Sequence, residues 1–223
     1  MNTFQQQPVT LVITEIYLSI QGESTWAGCP CVFVRLTGCP LRCSYCDTEY
    51  AFTGGRRIRL EDVLAEVASF GCPLVEITGG EPLAQPACVE LLRILVTHGF
   101  TVLLETSGAF SLANVPAEVR KIMDLKCPSS GEAERNLWGN IEFLQPHDEV
   151  KFVIGDRTDF EWASKVCREH GLVKRVRAVL FSPVFGKLAP LSLAQWILDE
   201  RLFDVRLQLQ LHKYVWPPEA RGV

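Results

Sequence analysis

The stretch Cys39-Pro40-Leu41-Arg42-Cys43-Ser44-Tyr45-Cys46 carries three cysteines, separated by three and then two residues, just after an apolar segment that predicts a β-strand. Four protein ligands close a structural zinc site and most electron-transfer iron-sulfur clusters. Three thiolates therefore leave a [4Fe-4S] cluster with one iron open to another molecule. A non-enzymatic module that holds zinc or a labile cluster is the alternative interpretation.

A second motif lies downstream. The sequence Thr78-Gly79-Gly80-Glu81-Pro82 follows a short apolar strand predicted from Leu74 to Ile77. The two glycines let the backbone approach a ligand closely, and Glu81 offers an acceptor for an ammonium or hydroxyl group. A Gly-Gly pair alone usually marks only a tight turn. The interpretation of this motif as a binding site therefore depends on the presence of the cysteines.

Around these motifs, apolar strands alternate with amphipathic helices. Helices are predicted at 60–69 and from Cys88 onward, and two more begin at apparent capping boxes, Thr158 with Glu161 and Ser192 with Gln195. Six or seven strands are predicted, at 31–36, 74–77, 101–105, 121–125, 149–154, 175–180 and 204–210, with 9–19 as a further strand or an extended arm. The alternation favours parallel βαβ units within a single α/β domain over residues 1–223.

A partial barrel and an open doubly wound sheet both fit this pattern. In either one, the loops that leave the carboxyl ends of the strands meet at one face. We therefore expect the cysteine loop, the glycine loop, 105–108 and 126–129 to converge. The basic run Arg56, Arg57 and Arg59 follows Gly54-Gly55 and predicts a solvated turn rather than an anion site.

Composition narrows the class of protein. The chain has 223 residues, 48% of them hydrophobic. None of its apolar segments approaches the length of about 18 residues that a membrane helix needs. Residues 1–10 are polar and glutamine-rich, which predicts no signal peptide and a cytoplasmic protein. An odd count of nine cysteines argues against a disulfide framework, and a net charge of -4 argues against a nucleic-acid partner.

Taken together, the two motifs resemble the radical S-adenosylmethionine (SAM) superfamily. There, Cys-x-x-x-Cys-x-x-Cys holds the cluster, an aromatic residue such as Tyr45 commonly precedes the last cysteine, and Gly-Gly-Glu-Pro binds the methionine part of SAM. The resemblance implies reductive cleavage of SAM to methionine and a 5′-deoxyadenosyl radical that removes a hydrogen atom from the substrate. An activase of a glycyl-radical enzyme is an alternative on the same scaffold.

Further segments resemble the 7-carboxy-7-deazaguanine synthase family over nearly the whole chain. They are 18–23, 32–36, 46–48, 124–131, 211–214 and 221–223. This resemblance implies a modified partial (β/α) barrel and conversion of 6-carboxy-5,6,7,8-tetrahydropterin to 7-carboxy-7-deazaguanine with loss of ammonia, for queuosine and related deazapurines. It also implies Mg²⁺, a flavodoxin-like or ferredoxin-like reductant and a homodimer.

The same resemblance assigns site residues. Cluster ligands are Cys39, Cys43 and Cys46, and Thr48 is the Mg²⁺ ligand. Expected substrate contacts are Ile20, Gln21, Gly22, Glu23, Arg35, Thr78 and His212. Expected SAM contacts are Tyr45, Cys46, Asp47, Gly80, Glu81, Glu105, Ser107, Cys127, Pro128, Ser129, Phe181, Ser182, Pro183 and Val184. No side chain is assigned as catalytic, since cluster and SAM supply the radical. Arg35 suits its role because a guanidinium can grip a carboxylate with two charge-assisted hydrogen bonds.

Overall fold

The computed structural model describes residues 8–223. The prediction about a signal peptide falls mainly on residues 1–7, which lie outside this range. The strands are β1 Thr10–Ile20, β2 Pro30–Leu36, β3 Arg56–Arg59, β4 Leu74–Gly79, β5 Thr101–Thr106, β6 Arg120–Asp124, β7 Glu149–Ile154, β8 Ala178–Pro183 and β9 Val205–Leu207. The helices are α1 Leu60–Ser69, α2 Cys88–Thr97, α3 Arg157–Glu169, α4 Leu172–Arg175, α5 Pro190–Asp199 and α6 His212–Val215. No helix within the described range has the length and apolarity that crossing a membrane requires.

All of these strands form one sheet, in the order β3-β1-β2-β4-β5-β6-β7-β8-β9. β1 pairs antiparallel with β2 and β3, and every other pairing is parallel. The two edge strands do not pair with each other, so the sheet stays open. Contacts between β7 and the β1–β2 connection show that it nevertheless curves round on itself. The fold is thus α/β with a partial barrel, as predicted.

Helices cover the outer face of the sheet and build the main core. In α2, for example, Leu91, Leu92 and Leu95 are fully buried, and burial of each such side chain contributes about 1.5–3 kcal/mol. A smaller apolar cluster, which includes Phe33 and Leu103, lies on the inner face. Because side chains alternate between the two faces of a strand, Phe33 shares its face with Arg35, two residues on. The inner face is therefore apolar at one end and polar at the other.

Two predicted helix starts are wrong. α3 begins after Asp156, whose carboxylate accepts a hydrogen bond from the backbone N–H of Asp159, so Thr158 is not the cap. α5 begins with Pro190 after Ala189, without a side-chain cap. Proline is favoured there because its fixed φ suits the first helical position and its missing N–H is not needed.

The arginine run was also assigned wrongly, since it forms the edge strand β3 and not a turn. Its backbone pairs with β1, and its exposed side chains form ion pairs, such as that of Arg56 with Glu66 at 3.0 Å. Pairing with β1 decides the conformation here, which the charges of the side chains could not indicate. The strand predicted from Arg175 begins only at Ala178, because Arg175 closes α4.

Candidate active site

A cavity of about 670 Å³ opens at the carboxyl ends of the parallel strands. The cysteine loop, the glycine loop, residues 105–107 and Lys126 all contribute to its wall, so the predicted convergence is confirmed for these segments but not for 127–129. The predicted site residues that line it are Ile20, Gln21, Gly22, Glu23, Arg35, Cys39, Cys43, Tyr45, Cys46, Asp47, Thr48, Thr78, Gly80, Glu105, Ser107, Val184 and His212. Seven others do not line it: Glu81, Cys127, Pro128, Ser129, Phe181, Ser182 and Pro183.

The three cysteines of the loop are half-buried and share this cavity. Arg42 folds back over the loop, where its Nη1 donates to the carbonyl oxygens of Cys39 at 2.7 Å and Leu41 at 2.6 Å. Burial raises the pKa of the Cys43 thiol to about 11. No three His, Cys, Asp or Glu side chains in residues 8–223 are arranged to hold a single metal ion. Each thiolate of a [4Fe-4S] cluster binds a different iron, so three thiols around one cavity fit that group.

Gly80 brings the glycine loop against the cysteine loop. Its N–H donates to the Leu36 carbonyl at 3.1 Å, and the next N–H, of Glu81, donates to the Gly38 carbonyl at 2.8 Å. A Cβ at Gly80 would overlap the Gly38 carbonyl and lie 2.9 Å from Cys39 Cβ. Only glycine therefore allows these two backbones to pack beside the thiols.

Glu81, predicted to contact the cofactor, points into the protein. Its fully buried carboxylate accepts hydrogen bonds from Leu83 N at 3.0 Å, Thr106 Oγ1 at 2.8 Å, and Ser107 N and Oγ at 2.7 and 2.6 Å. These contacts fix the end of β5. The carboxylate thus positions Ser107, which does line the cavity.

The predicted segment 127–129 supports the cysteine loop from behind. The Ser129 carbonyl accepts a hydrogen bond from Ser44 Oγ at 2.7 Å, and Ser129 N donates to the buried carboxylate of Asp159 at 2.9 Å. Phe181 packs edge-on against Phe152 in the core, with ring centroids 5.5 Å apart. Of the predicted residues 181–184, only Val184 reaches the cavity.

A buried charge network, missed in the sequence, forms the floor of the cavity. Lys151 Nζ lies 2.8 Å from Glu23 and 3.7 Å from Asp124, and it also contacts Glu105. Burial opposes the charge on Lys151, but these carboxylates outweigh it and raise its pKa well above the usual value. Burial, together with Glu105 and Glu23, raises the pKa of Glu76 well above its ordinary range. Lys151 is therefore charged at neutral pH, and Glu76 keeps its proton to a higher pH than an ordinary glutamate.

Lys126 and Asp124 continue the network toward the cysteines. Lys126 Nζ binds Asp124 Oδ2 at 2.8 Å, while the buried Asp124 Oδ1 has no hydrogen-bond partner in the described structure. Asp124 lines the cavity, and its buried Oδ1 keeps an unused capacity to accept a hydrogen bond there. The available sequence signal was a lysine among apolar residues, as with Lys151 between Val150 and Phe152 in β7.

Arg35 is oriented by the protein itself. Its Nε donates to Glu15 Oε1 at 2.7 Å and its Nη2 donates to the Tyr17 hydroxyl at 3.0 Å. Tyr50 donates to the same Glu15 oxygen at 2.7 Å. The guanidinium is therefore fixed in the wall of the cavity by partners that the sequence did not reveal.

The C-terminal part of the chain closes one side of the cavity. Gln210 Nε2 donates to Glu23 at 3.0 Å and to Asp47 at 3.2 Å, and Lys213 pairs with Asp47 at 2.6 Å. Burial lowers the pKa of His212, whose side chain packs against Gly22. Residues 217–223 add to the wall, with the Arg221 guanidinium 4.2 Å from the centre of the Tyr50 ring.

Comparisons with known proteins agree with this geometry. The model of the radical SAM superfamily matches residues 33–173. The chain is 51% identical to the 7-carboxy-7-deazaguanine synthase of Koribacter versatilis (strain Ellin345), over 95% of this chain and 99% of the relative. It is 45% identical to the enzyme of the same name from Chlorobaculum tepidum, over 96% of this chain and 97% of the relative.

Among solved structures, QueE from Escherichia coli has the same fold, with a TM-score of 0.74 at 23% identity over 91% of this chain and 95% of that chain. SuiB from Streptococcus suis bound to S-adenosylmethionine matches with a TM-score of 0.55 at 13% identity, over 78% and 44%.

A partial barrel whose three-cysteine loop and glycine loop meet at one cavity defines a radical SAM enzyme. Its cofactors are accordingly a [4Fe-4S] cluster and SAM. Within that superfamily, the chain belongs to the 7-carboxy-7-deazaguanine synthase family.

Proposed function

We propose that this enzyme converts 6-carboxy-5,6,7,8-tetrahydropterin to 7-carboxy-7-deazaguanine with loss of ammonia, as one unit spanning residues 1–223. The observation that carries the proposal is the cavity itself, where three thiols face a floor of buried carboxylates and a fixed guanidinium. A carboxylated, donor-rich heterocycle is complementary to both features. The names of the relatives supply the product, 7-carboxy-7-deazaguanine. The pterin substrate and the loss of ammonia are what the family resemblance implies.

Cys39, Cys43 and Cys46 would hold the cluster, and the Gly80 backbone would lie beside SAM. When bound, cluster and SAM supply the 5′-deoxyadenosyl radical that abstracts hydrogen from C6 of the pterin, initiating ring contraction. The chain's own residues bind and orient the pterin. Arg35 would bind its carboxylate, and Gln21 and Glu23 its polar edge.

Thr48 is the proposed Mg²⁺ ligand. It lines the cavity, and its Oγ1 donates to Asp47 Oδ1 at 2.9 Å. Because Mg²⁺ prefers six oxygens in octahedral geometry, substrate and water would complete its shell. Loss of Mg²⁺ dependence in Thr48→Ala, with iron content unchanged, would support this role.

A flavodoxin-like or ferredoxin-like protein would deliver the electron that SAM cleavage requires. We place the enzyme in the cytoplasm, as a homodimer, and its product in queuosine or related deazapurine biosynthesis. These assignments rest on the family and on the reduced state that the cluster cysteines need.

The decisive experiment uses reconstituted enzyme, SAM, a reductant and pterin deuterated at C6. Deuterium should appear in 5′-deoxyadenosine, and mass spectrometry should detect 7-carboxy-7-deazaguanine. Unchanged pterin, with SAM cleavage at the same rate whether or not pterin is present, would refute the proposed substrate. Stoichiometric zinc without iron or sulfide after anaerobic reconstitution would instead favour the metal-binding module.

A further inference from the structure

The connection between β1 and β2 carries three of the predicted substrate contacts: Gln21, Gly22 and Glu23. It leaves the sheet, crosses the inner face and reaches β7. Its base is closed by hydrogen bonds from Gln21 N to the Cys29 carbonyl and from Gly28 N to the Gln21 carbonyl, both 2.8 Å. Its tip therefore depends on contacts across the barrel.

Glu149, the first residue of β7, holds this tip. Its carboxylate accepts from Thr25 N at 3.0 Å to Oε2 and 3.2 Å to Oε1, and Thr25 Oγ1 donates to Oε1 as well. Only 2% of Glu149 is exposed, so these hydrogen bonds replace the solvation that the carboxylate has lost. We call this contact the Thr25–Glu149 latch.

The residue before the latch is held in an unusual conformation. Ser24 has φ of 65°, in the left-handed region that non-glycine residues rarely adopt. The residue is buried, with only 4% of its surface exposed. Such a conformation persists where surrounding contacts determine it. Thr25 follows it directly, so the latch is well placed to maintain this turn.

A second contact links the same strand to the substrate residues. Lys151 lies two residues beyond Glu149 on the same face of β7 and pairs with Glu23 at 2.8 Å. On the opposite side, Leu211 N donates to the Gly22 carbonyl at 2.8 Å. Residues 21–23 thus contact β7 on one side and the C-terminal segment on the other.

We propose that Glu149 is a positioning residue for substrate binding, which acts through Thr25 to fix Gln21, Gly22 and Glu23 in the cavity. It lies outside the cavity wall and acts only through the connection. The inference rests on the proposed function, since that function makes these three residues substrate contacts.

The test compares Glu149→Ala, Glu149→Gln and Thr25→Val with the reconstituted wild-type enzyme. In Glu149→Ala we expect KM for 6-carboxy-5,6,7,8-tetrahydropterin to rise about tenfold, because displaced contacts bind less well. The values of kcat, KM for SAM and iron content should stay near wild type. Glu149→Gln keeps an acceptor and should recover part of the affinity. The double variant that combines Glu149→Ala with Thr25→Val should be no worse than Glu149→Ala alone. The exposed Glu90→Ala on α2 is the matched control.

An unchanged KM for the pterin in folded variants would overturn the proposal, as would additive losses in the double variant. If Glu149→Ala fails to fold, Thr25→Val and Glu149→Gln decide by the same readouts. If the wild type leaves the pterin untouched, the proposed function fails, and hydrogen exchange of the Thr25 amide then tests the latch. Faster exchange in Glu149→Ala than in the wild type would support it, and unchanged exchange would refute it.

Discussion

Arg35 is fixed in place by other residues of the chain. Two of its nitrogens are used by Glu15 and Tyr17, and its side chain is only 15% exposed. A positively charged group held in this way can bind an anion without first losing side-chain freedom. The structure therefore strengthens the chemical argument for Arg35 as the carboxylate-binding residue.

Arg35→Ala should raise the dissociation constant of the pterin about 100-fold, because charge-assisted hydrogen bonds contribute about 1.5–3 kcal/mol each. Iron content and SAM binding should be unchanged. Isothermal titration under anaerobic conditions measures both ligands. Arg35→Lys keeps the charge but not the planar guanidinium, so its dissociation constant for the pterin should lie between those of the wild type and Arg35→Ala. Loss of the cluster in Arg35→Ala would contradict this assignment.

Glu76 permits a prediction about pH. Its pKa is raised in the folded protein, chiefly by burial and then by Glu105 and Glu23. The carboxyl of the unfolded chain ionises near pH 4.5 while the folded one stays protonated, so wild-type stability falls as pH rises above that value, until the folded group ionises. Glu76→Gln removes this penalty and keeps an acceptor for Gln21.

Glu76→Gln should therefore raise the thermal midpoint above that of wild type, and the rise should be larger at pH 8 than at pH 5. The difference between the two pH values should correspond to about 1 kcal/mol or more in the free energy of unfolding. Thermal unfolding of the apoprotein across this range measures the difference. A constant difference at all pH values would mean that folding does not raise the pKa of Glu76.

Which site residues could be predicted from the sequence depends on the type of residue. Cysteine spacing identified the thiols, and paired glycines identified the loop beside them. Lys151 went unrecognised because its partners Glu23 and Glu105 lie 128 and 46 residues away in sequence. Only the curvature of the sheet brings Glu23 to it. Glu81 could be placed near the site, but not its side-chain direction.

At the scale of elements, Gly80 joins the two loops of the cofactor site. A Cβ there would force the glycine loop away from Gly38 and Cys39. Gly80→Ala should therefore lose more than about half of its reconstituted iron while its circular dichroism stays near wild type. Gly139→Ala is the matched control, since an added Cβ at Gly139 would meet no atom within 4 Å. Full iron content in Gly80→Ala would show that the loops can part without losing the cluster.

Elements with a strong apolar period were predicted well. α1 has the predicted bounds of Leu60–Ser69, because Val63 and Val67 mark its buried face. β3 was missed because its alternation is short and three of its four residues are arginine. Partners that lie far away in sequence decide such edge strands, and local patterns do not report them.

At the scale of the whole molecule, the site is completed by the last residues of the chain. Removal of residues 217–223 would take away one wall of the cavity, together with the stacking of Arg221 on Tyr50. We expect KM for the pterin to rise about tenfold or more, with iron content retained. Arg221→Ala tests the stacking alone and should have a smaller effect. An unchanged KM in the truncated enzyme would show that this wall does not contact substrate.

The contacts across the cavity also bear on how the protein folds. Gln210 and Glu23 are 187 residues apart in the chain, and Lys213 and Asp47 are 166 apart. Contacts between distant residues form late, because the entropy of closing a long loop must be overcome first. Cys39 and Gly80 are only 41 residues apart, so a much shorter loop closes when the cysteine and glycine loops meet. We therefore expect the half of the site that holds the cluster to become ordered before the C-terminal segment closes over it, which leaves an interval during folding in which iron and sulfide can enter.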